Sequence, residues 1–199
     1  MSTPVLPAAP SPDAADHRER LMAGLADAIH EKGLAKTQVT DIVRHARASR
    51  TTFYRCFADK DACFFALAQR LTDATREAVE AAVDPAAPWE TQVDQAIDAY
   101  VGILGNDPTL VVTFASDLPM LGERAARLRR EGIAQYAEML VRLASTPRMR
   151  EAGIAIDLDT AVLLMAGLDG MVAHAVGDGR PVAELAPMAK RAVKRVLAP

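Results

Sequence analysis

Between Lys36 and Lys60 the chain places those two lysines, Arg44, Arg47, Arg50 and Arg55 against only Asp41 and Asp59. That is a local +4 in a chain of net charge −3, so all other residues together carry −7. A cationic module on an acidic body is the electrostatic footprint of a protein that turns one side toward phosphate. Within the module Ser49 can cap a helix whose free amides would meet a phosphate. Arg50, Thr51 and Thr52 would fill its first turn. There an arginine can hold guanine O6 and N7 together, and a threonine methyl can touch the methyl of thymine. Tyr54, Arg55 and Lys60 add hydroxyl and cationic donors suited to backbone phosphates.

Such groups act only if a scaffold holds them outward. The run TQVTDIVRHARASRTTFYRCFADK, residues 37–60, predicts two short helices, near Val39–His45 and Ser49–Phe57, joined by a turn of three or four residues. That arrangement is a helix-turn-helix. Helices this short are not stable alone. They must pack on each other and on a preceding helix that carries Leu21, Leu25 and Ile29 at every fourth position, with Arg18, Arg20, Asp27 and Glu31 elsewhere on its surface. Gly33 stops that helix. Val39, Ile42, Val43 and Ala46 supply one packing face; Ala48, Phe53 and Phe57 supply the other. Phe53 and Phe57 are therefore expected in the core and not as platforms for stacked bases.

The rest of the chain continues in helical periods. Lys60 to about Val83 predicts one long helix closed by Asp84-Pro85 and Pro88, and Trp89 to Leu104 another, broken at Gly105-Asn106-Asp107-Pro108. A short helix is expected over Leu110–Ala115. Leu121, Ala125, Leu128, Gly132, Ile133, Tyr136, Leu140 and Ala144 form one apolar stripe. Asp157 and Asp159 can start a helix that runs to Gly177. Pro181 opens the last one, with Val182, Leu185, Ala189, Val193 and Val196 on one side. No segment alternates with period two. The 199 residues, 50% hydrophobic and 25% charged, thus predict an all-α protein of about nine helices.

Composition also excludes. Pro4, Pro7, Pro10 and Pro12 mark residues 1–13 as a disordered tail, and nothing basic precedes Arg18. The longest strongly apolar run, Ala161–Leu168, is far short of the roughly 20 residues that span a bilayer, so no membrane association is expected, and the first residues lack the pattern of a secretory signal. Cys56 and Cys63 cannot build a disulfide framework and point to a reducing cytoplasm. His17, His30, His45 and His174 are scattered, so no metal or other cofactor is expected. No nucleophile elbow, metal spacing or phosphate loop argues for an enzyme.

In the second half, Tyr100, Phe114, Met120, Tyr136, Met139 and Met165, with Met171, could line an adaptable apolar cavity or serve as ordinary core. Asp169 and His174 interrupt an apolar helix. They could orient a ligand or serve a helix seam where Ala166, Gly167, Gly170 and Ala173 permit close approach, and the seam is favoured. Lys190, Arg191, Lys194 and Arg195 fall in the last turns of a helix, where cations offset the dipole. Arg124, Arg127, Arg129 and Arg130 are expected on a solvated surface or against an acidic partner segment.

The run VTDIVRHARASRTTFYRCFADKDACF resembles the DNA-binding signature of TetR-family (tetracycline-repressor-like) transcriptional regulators. The features that carry the resemblance are Thr37 with Val39, Asp41-Ile42, Ala46, Ser49-Arg50, Thr52-Phe53-Tyr54, Phe57 and Lys60, and it extends over roughly Arg18–Arg76. It implies a helix-turn-helix domain over residues 14–76, with the motif at about 38–57. A C-terminal domain over 77–199 would bind an effector and form a homodimer through the last two long helices. By position, Thr37, Ser49, Arg50, Thr51, Thr52, Tyr54 and Lys60 take the family's DNA-contacting roles. The sequence departs from the pattern at Arg47, where many members have glycine, and at Gln38, where a capping threonine is common. A left-handed backbone at Arg47 would cost roughly 1–2 kcal/mol; either the turn differs or a phosphate contact offsets the strain. The function so implied is a repressor of a near-palindromic, double-stranded operator, released by a small apolar or amphipathic ligand. The alternative is a helical interaction module whose DNA-binding unit is vestigial.

Overall fold

The structure, a computed structural model, describes residues 12–198, with side chains from residue 15 onward. Most of the tail expected over residues 1–13 lies outside the described residues. Its last two positions belong instead to the first helix, which opens on Pro12, a residue whose fixed φ and missing N–H suit a helix start. Among the described residues there are ten α-helices and no strand. The chain divides into two compact units between Leu67 and Ala68. That division falls inside one continuous helix, as does the boundary at residue 76 expected from the sequence.

The first unit holds α1 (Pro12–Lys32), α2 (Val39–His45), α3 (Arg50–Cys56) and the opening turns of α4 (Lys60–Ala82). Gly33 ends α1 with φ +77°, a left-handed conformation that glycine adopts without strain. Leu21 and Leu25 are fully buried and Ile29 nearly so, and Ile42 of α2, Phe53 of α3 and Phe64 of α4 are each 0% exposed, with α1 packed on both α2 and α3. Burying each such side chain contributes about 1.5–3 kcal/mol. The seven-residue helices α2 and α3 therefore owe their stability to packing and not to their own propensity.

The sequence pattern shows nothing of Gly24, which the α1–α2 contact requires. A Cβ there would lie 2.6 Å from the Ile42 carbonyl oxygen and 2.8 Å from the Ala46 nitrogen. Ion pairs tie the same two helices together: Lys32 to Asp41 at 2.6 Å and Arg44 to Glu31 at 2.5 Å, with His45 sharing Glu31 at 2.8 Å.

The second unit holds the rest of α4, then α5 (Trp89–Asn106), α6 (Pro108–Ser116), α7 (Glu123–Leu143), α8 (Pro147–Glu151), α9 (Leu158–Gly177) and α10 (Ala186–Leu197). Short 3-10 turns cover Leu118–Leu121 and Val182–Leu185. Asp107 accepts from the Leu110 N–H, and Asp157 from that of Thr160, capping α6 and α9 where the breaker residues predicted new starts. One core cluster joins Val93, Ile97 and Val101 of α5 to Met165 and Leu168 of α9 and Leu197 of α10. A second gathers Val111, Val172 and Ala175 with Val182 and Leu185. Lys190 and Lys194 reach across to Asp98 and Asp94 of α5 at 2.6 and 2.7 Å, so half of the basic group near the C-terminus is spent on packing α10.

Helix α9 needs a correction to the reading based on continuous apolar runs. Averaged over a longer window, Leu158–Gly177 has a mean hydropathy of 1.5, and among the described residues it is the one helix long and apolar enough to cross a membrane. It packs against α6 and α7 within the second unit.

Candidate nucleic-acid interface and ligand cavity

The turn between α2 and α3 aims the outer face. The N–H of Ala48 donates to the Val43 carbonyl at 2.9 Å and that of Arg47 to Arg44 at 3.3 Å. These are the two bonds of a Schellman helix end, which demands a left-handed residue between them. That residue is Arg47, with φ +49°. The turn is thus the ordinary one, with an arginine where glycine would be unstrained, and the exposed Arg47 side chain stands beside the start of α3. Ser49 then caps α3 as its sequence position predicts, accepting from the Thr52 N–H at 3.0 Å, while the two hydroxyls lie 2.9 Å apart.

On α3, Phe53 points inward and the outer face carries two adjacent rows, Arg50 with Tyr54 and Thr51 with Arg55. All four are exposed, each row at the four-residue spacing that aligns side chains on a helix. Thr52 is half-buried and its hydroxyl is engaged with Ser49. At the other end of α3, Arg18 of α1 sets its guanidinium 4.3 Å from the centre of the Phe57 ring and donates to the Cys56 carbonyl at 2.7 Å. This clamp on the last turn of α3 was invisible in the sequence, where Arg18 is one polar position on an amphipathic helix.

Two expected contact residues are placed differently. Thr37 is 2% exposed, and its hydroxyl donates to the Gly33 carbonyl at 2.8 Å. It is spent on closing the end of α1, and its side chain does not face the surface of α3. Lys60 is half-buried and its ammonium donates to the Leu34 carbonyl at 2.8 Å. Arg44, counted among the local cations, is paired with Glu31, whose carboxyl both Arg44 and His45 hold below the usual range. Lys32, with the Gln38 N–H, does the same for Asp41. Asp41 accepts that N–H at 2.9 Å, which supplies the capping contact that Gln38 left open in the sequence. The exposed cations of the segment are therefore Lys36, Arg47, Arg50 and Arg55, together with the paired Arg44.

The second unit holds a cavity of about 350 Å³, open to solvent on one side, whose wall includes Leu71 and Thr72 of α4, Tyr100 of α5, Phe114 of α6, Ile133 and Tyr136 of α7, and Met165 of α9. Tyr100, Phe114, Tyr136 and Met165 were expected there. Met120 and Met139 were too, but neither lines it: Met120 is 82% exposed beside Pro119, and Met139 is 2% exposed in the core. The Tyr100 and Tyr136 rings meet edge to face at 6.1 Å, and the Tyr136 hydroxyl donates to the Thr72 carbonyl at 3.2 Å. Burial pushes the Tyr136 phenol up to about 12 and the Tyr100 phenol higher still, the latter aided by Tyr136 and Asp169.

Asp169, read from the sequence for a ligand or for a helix seam, lines the cavity and accepts from the Arg129 Nε at 2.9 Å. Arg129 stays exposed, as expected for its group, while it pairs with Asp169 across α7 and α9. His174 lies on the open face of α9, 3.4 Å from Asp178. That face exposes Leu158, Val162 and Leu163 with Ala166, Gly167, Gly170 and Ala173, and α10 exposes Met188 and Val196.

A capped, outward-facing α3 set on α1 and α2 makes the first unit a helix-turn-helix domain, attached through α4 to an all-helical unit with a cavity. Residues 21–67, the helix-turn-helix part of the chain, match the family described as "Bacterial regulatory proteins, tetR family". Over 100 residues the chain is 29% identical to an uncharacterized HTH-type transcriptional regulator, YvdT, of Bacillus subtilis, a match spanning 50% of this chain and 52% of YvdT. It thus covers about half of that relative's length. The fold is shared with a TetR-family regulator from Syntrophomonas wolfei, at TM-score 0.72 and 13% identity over 92% of this chain and 95% of that one. It is shared also with the regulator FadR of Bacillus subtilis in complex with stearoyl-CoA, at TM-score 0.69 and 17% identity over 87% and 95% of the two chains.

Proposed function

We propose that the protein is a cytoplasmic, homodimeric transcriptional regulator that represses from a near-palindromic operator and is released by a small apolar or amphipathic effector. The observation that carries this reading is the face of α3. Arg50, Thr51, Tyr54 and Arg55 are exposed together, with Arg47 just before the cap. Arg50 is the residue to read a guanine edge, and Arg47, Tyr54 and Arg55 are donors for phosphate. Ser49 and Thr52 shape the first turn. Lys60 keeps two N–H donors beyond the one given to Leu34. Thr37 acts through the α1 end it closes.

The exposed small and apolar residues of α9 and α10 support a twofold seam. Through it two α3 helices would enter successive major grooves about 34 Å apart. The cavity supports an effector site. FadR holds stearoyl-CoA in its solved complex, and the aromatic wall here suits an apolar or amphipathic molecule too. Helix α4 carries Leu71 and Thr72 in the cavity wall and Lys60 at its first turn, so a ligand that shifts α4 would act on both of its ends. A coupling of about 1–3 kcal/mol would weaken operator binding about 5- to 150-fold.

The test is a gel shift on DNA from upstream of the protein's own gene, run at several salt concentrations. Arg50→Ala should lose about 1–3 kcal/mol and relax sequence preference. Lys60→Met should lower affinity for all sequences and reduce the salt slope by at most about 1. Absence of binding to any duplex at low salt would overturn the proposal and favour a helical interaction module.

A further inference from the structure

The polar groups of the cavity wall carry an inference about ligand class, which rests on the effector reading above. Arg129 and Asp169 satisfy one another: two guanidinium N–H groups converge on a single carboxylate oxygen. The pair joins α7 to α9 and leaves the wall without net charge. The Tyr136 hydroxyl is committed to the Thr72 carbonyl. The hydrogen bonds of this wall do not include the Tyr100 hydroxyl, which stays protonated well above neutral pH because it is buried beside Tyr136 and Asp169.

A carboxylate entering this space would face Asp169 and have to take Arg129 from it. An ammonium would face Arg129 and have to take Asp169. Either exchange leaves one charge of the former pair without its partner; both side chains are part-exposed, so the cost is that of a solvated ion pair, about 0.2–1 kcal/mol. An uncharged molecule breaks nothing, and one oxygen on it finds in Tyr100 both a donor and an acceptor. The volume of about 350 Å³ sits at the small end of the roughly 300–1,000 Å³ of ligand sites, so the occupant is compact.

We propose that the cavity takes a compact, uncharged, mainly apolar molecule bearing a hydroxyl or carbonyl oxygen, held by the Tyr100 hydroxyl, and that the Arg129–Asp169 pair disfavours carboxylates and amines. The pair is a selectivity device whose sense can be reversed. Removing the charge of Asp169 leaves a lone cation in the wall, and removing that of Arg129 leaves a lone anion.

The experiment uses the full-length protein and three probes of equal chain length, 1-octanol, octanoate and octylamine, with affinity read by calorimetry. Operator binding is read on the same samples without probe. For wild type, octanol should bind up to about fivefold tighter than either ion. Tyr100→Phe should weaken octanol about 2- to 10-fold, the size of one net hydrogen bond. Asp169→Asn should move the preference to octanoate and Arg129→Gln to octylamine. Octanoate or octylamine binding wild type as tightly as octanol would overturn the inference, as would silence of all three probes or unchanged preference in both charge variants. Because operator binding is measured separately, such a failure with DNA binding intact removes the ligand class and leaves the DNA-binding reading standing. Loss of DNA binding in wild type removes that reading itself.

Discussion

Replacing Gly24 with alanine should destabilise the protein, although the change improves helix propensity. Alanine is favoured over glycine in a helix interior by about 1 kcal/mol. Against this, the new Cβ would lie 2.6 Å from the Ile42 carbonyl oxygen, 2.8 Å from the Ala46 nitrogen and 2.9 Å from the Ala46 Cβ. The first two are backbone atoms of α2 and its cap, so no side-chain rotation relieves the overlap and α2 must move off α1. Overpacking of this kind costs about 1–3 kcal/mol. With rigid backbone on one side the upper part of that range applies, and the net loss should be about 1–2 kcal/mol. Gly102 supplies the control. It lies in the interior of α5, and a methyl added there would meet nothing within 4 Å, so Gly102→Ala should gain up to about 1 kcal/mol. The assay is urea unfolding followed by circular dichroism, with slopes compared to confirm that the unfolded states match. For a chain of this length each kcal/mol moves Tm by about 2–4 °C. Gly24→Ala should also weaken operator binding, because α3 packs on the displaced pair. If Gly24→Ala proves as stable as Gly102→Ala, the close packing of α1 on α2 is wrong.

Three further outcomes follow from local geometry. Arg47→Gly relieves the left-handed strain at φ +49°, so the fold should gain up to about 1 kcal/mol while DNA affinity and its salt slope fall; unchanged affinity would show that Arg47 touches no phosphate. Cys63 is fully buried and its thiol is pushed up to about 12, so at neutral pH a thiol reagent should modify only the half-exposed Cys56 quickly, and two fast thiols per chain would refute the burial. For Tyr136, burial raises the phenol from 10.0 to about 12. The folded chain thus holds a proton that the unfolded chain releases, and stability should fall as pH rises from about 10 toward 12. Tyrosinate absorbance from Tyr100 and Tyr136 should appear together with loss of helical dichroism, and ionisation of all the tyrosines in an intact helical protein would count against it.

The helices were legible because their signals are local. Breaker residues fall where capping hydrogen bonds are found, at Asp107, Asp157 and Ser49. The apolar stripe Leu21, Leu25, Ile29 is the stripe that is buried. The five-residue α8 escaped notice because Thr146 and Pro147 start it without any periodic run behind them. Gly24 escaped for a different reason. A glycine in a helix interior signals either weakness or close approach, and only the position of α2 decides between them. The cavity was half legible. Aromatic and methionine side chains named a supply of lining groups, but residue type did not show that Tyr136 lines the cavity while Met139 is buried in the core and Met120 stands exposed.

The contact residues that proved misplaced share one physical cause. Residue type states how many donors a side chain offers, whereas direction is set by which acceptors lie unsatisfied nearby. The chain leaving α1 presents such acceptors, since the end of a helix leaves carbonyls without intrahelical partners. Thr37 gives its hydroxyl to Gly33 and Ala28, and Lys60 gives an N–H to Leu34. Neither diversion was visible in a motif read along the chain, because the acceptor of Lys60 lies 26 residues upstream. Arg50, Thr51, Tyr54 and Arg55 had no such competitor. They project from the outer face of a seven-residue helix whose first turn Ser49 caps. Their donors stay available to an outside partner because, among the described residues, no acceptor engages them. The diverted Lys60 gains a different role: it fastens the first turn of α4 to the end of α1, so that displacing α4 strains the scaffold on which α3 is mounted.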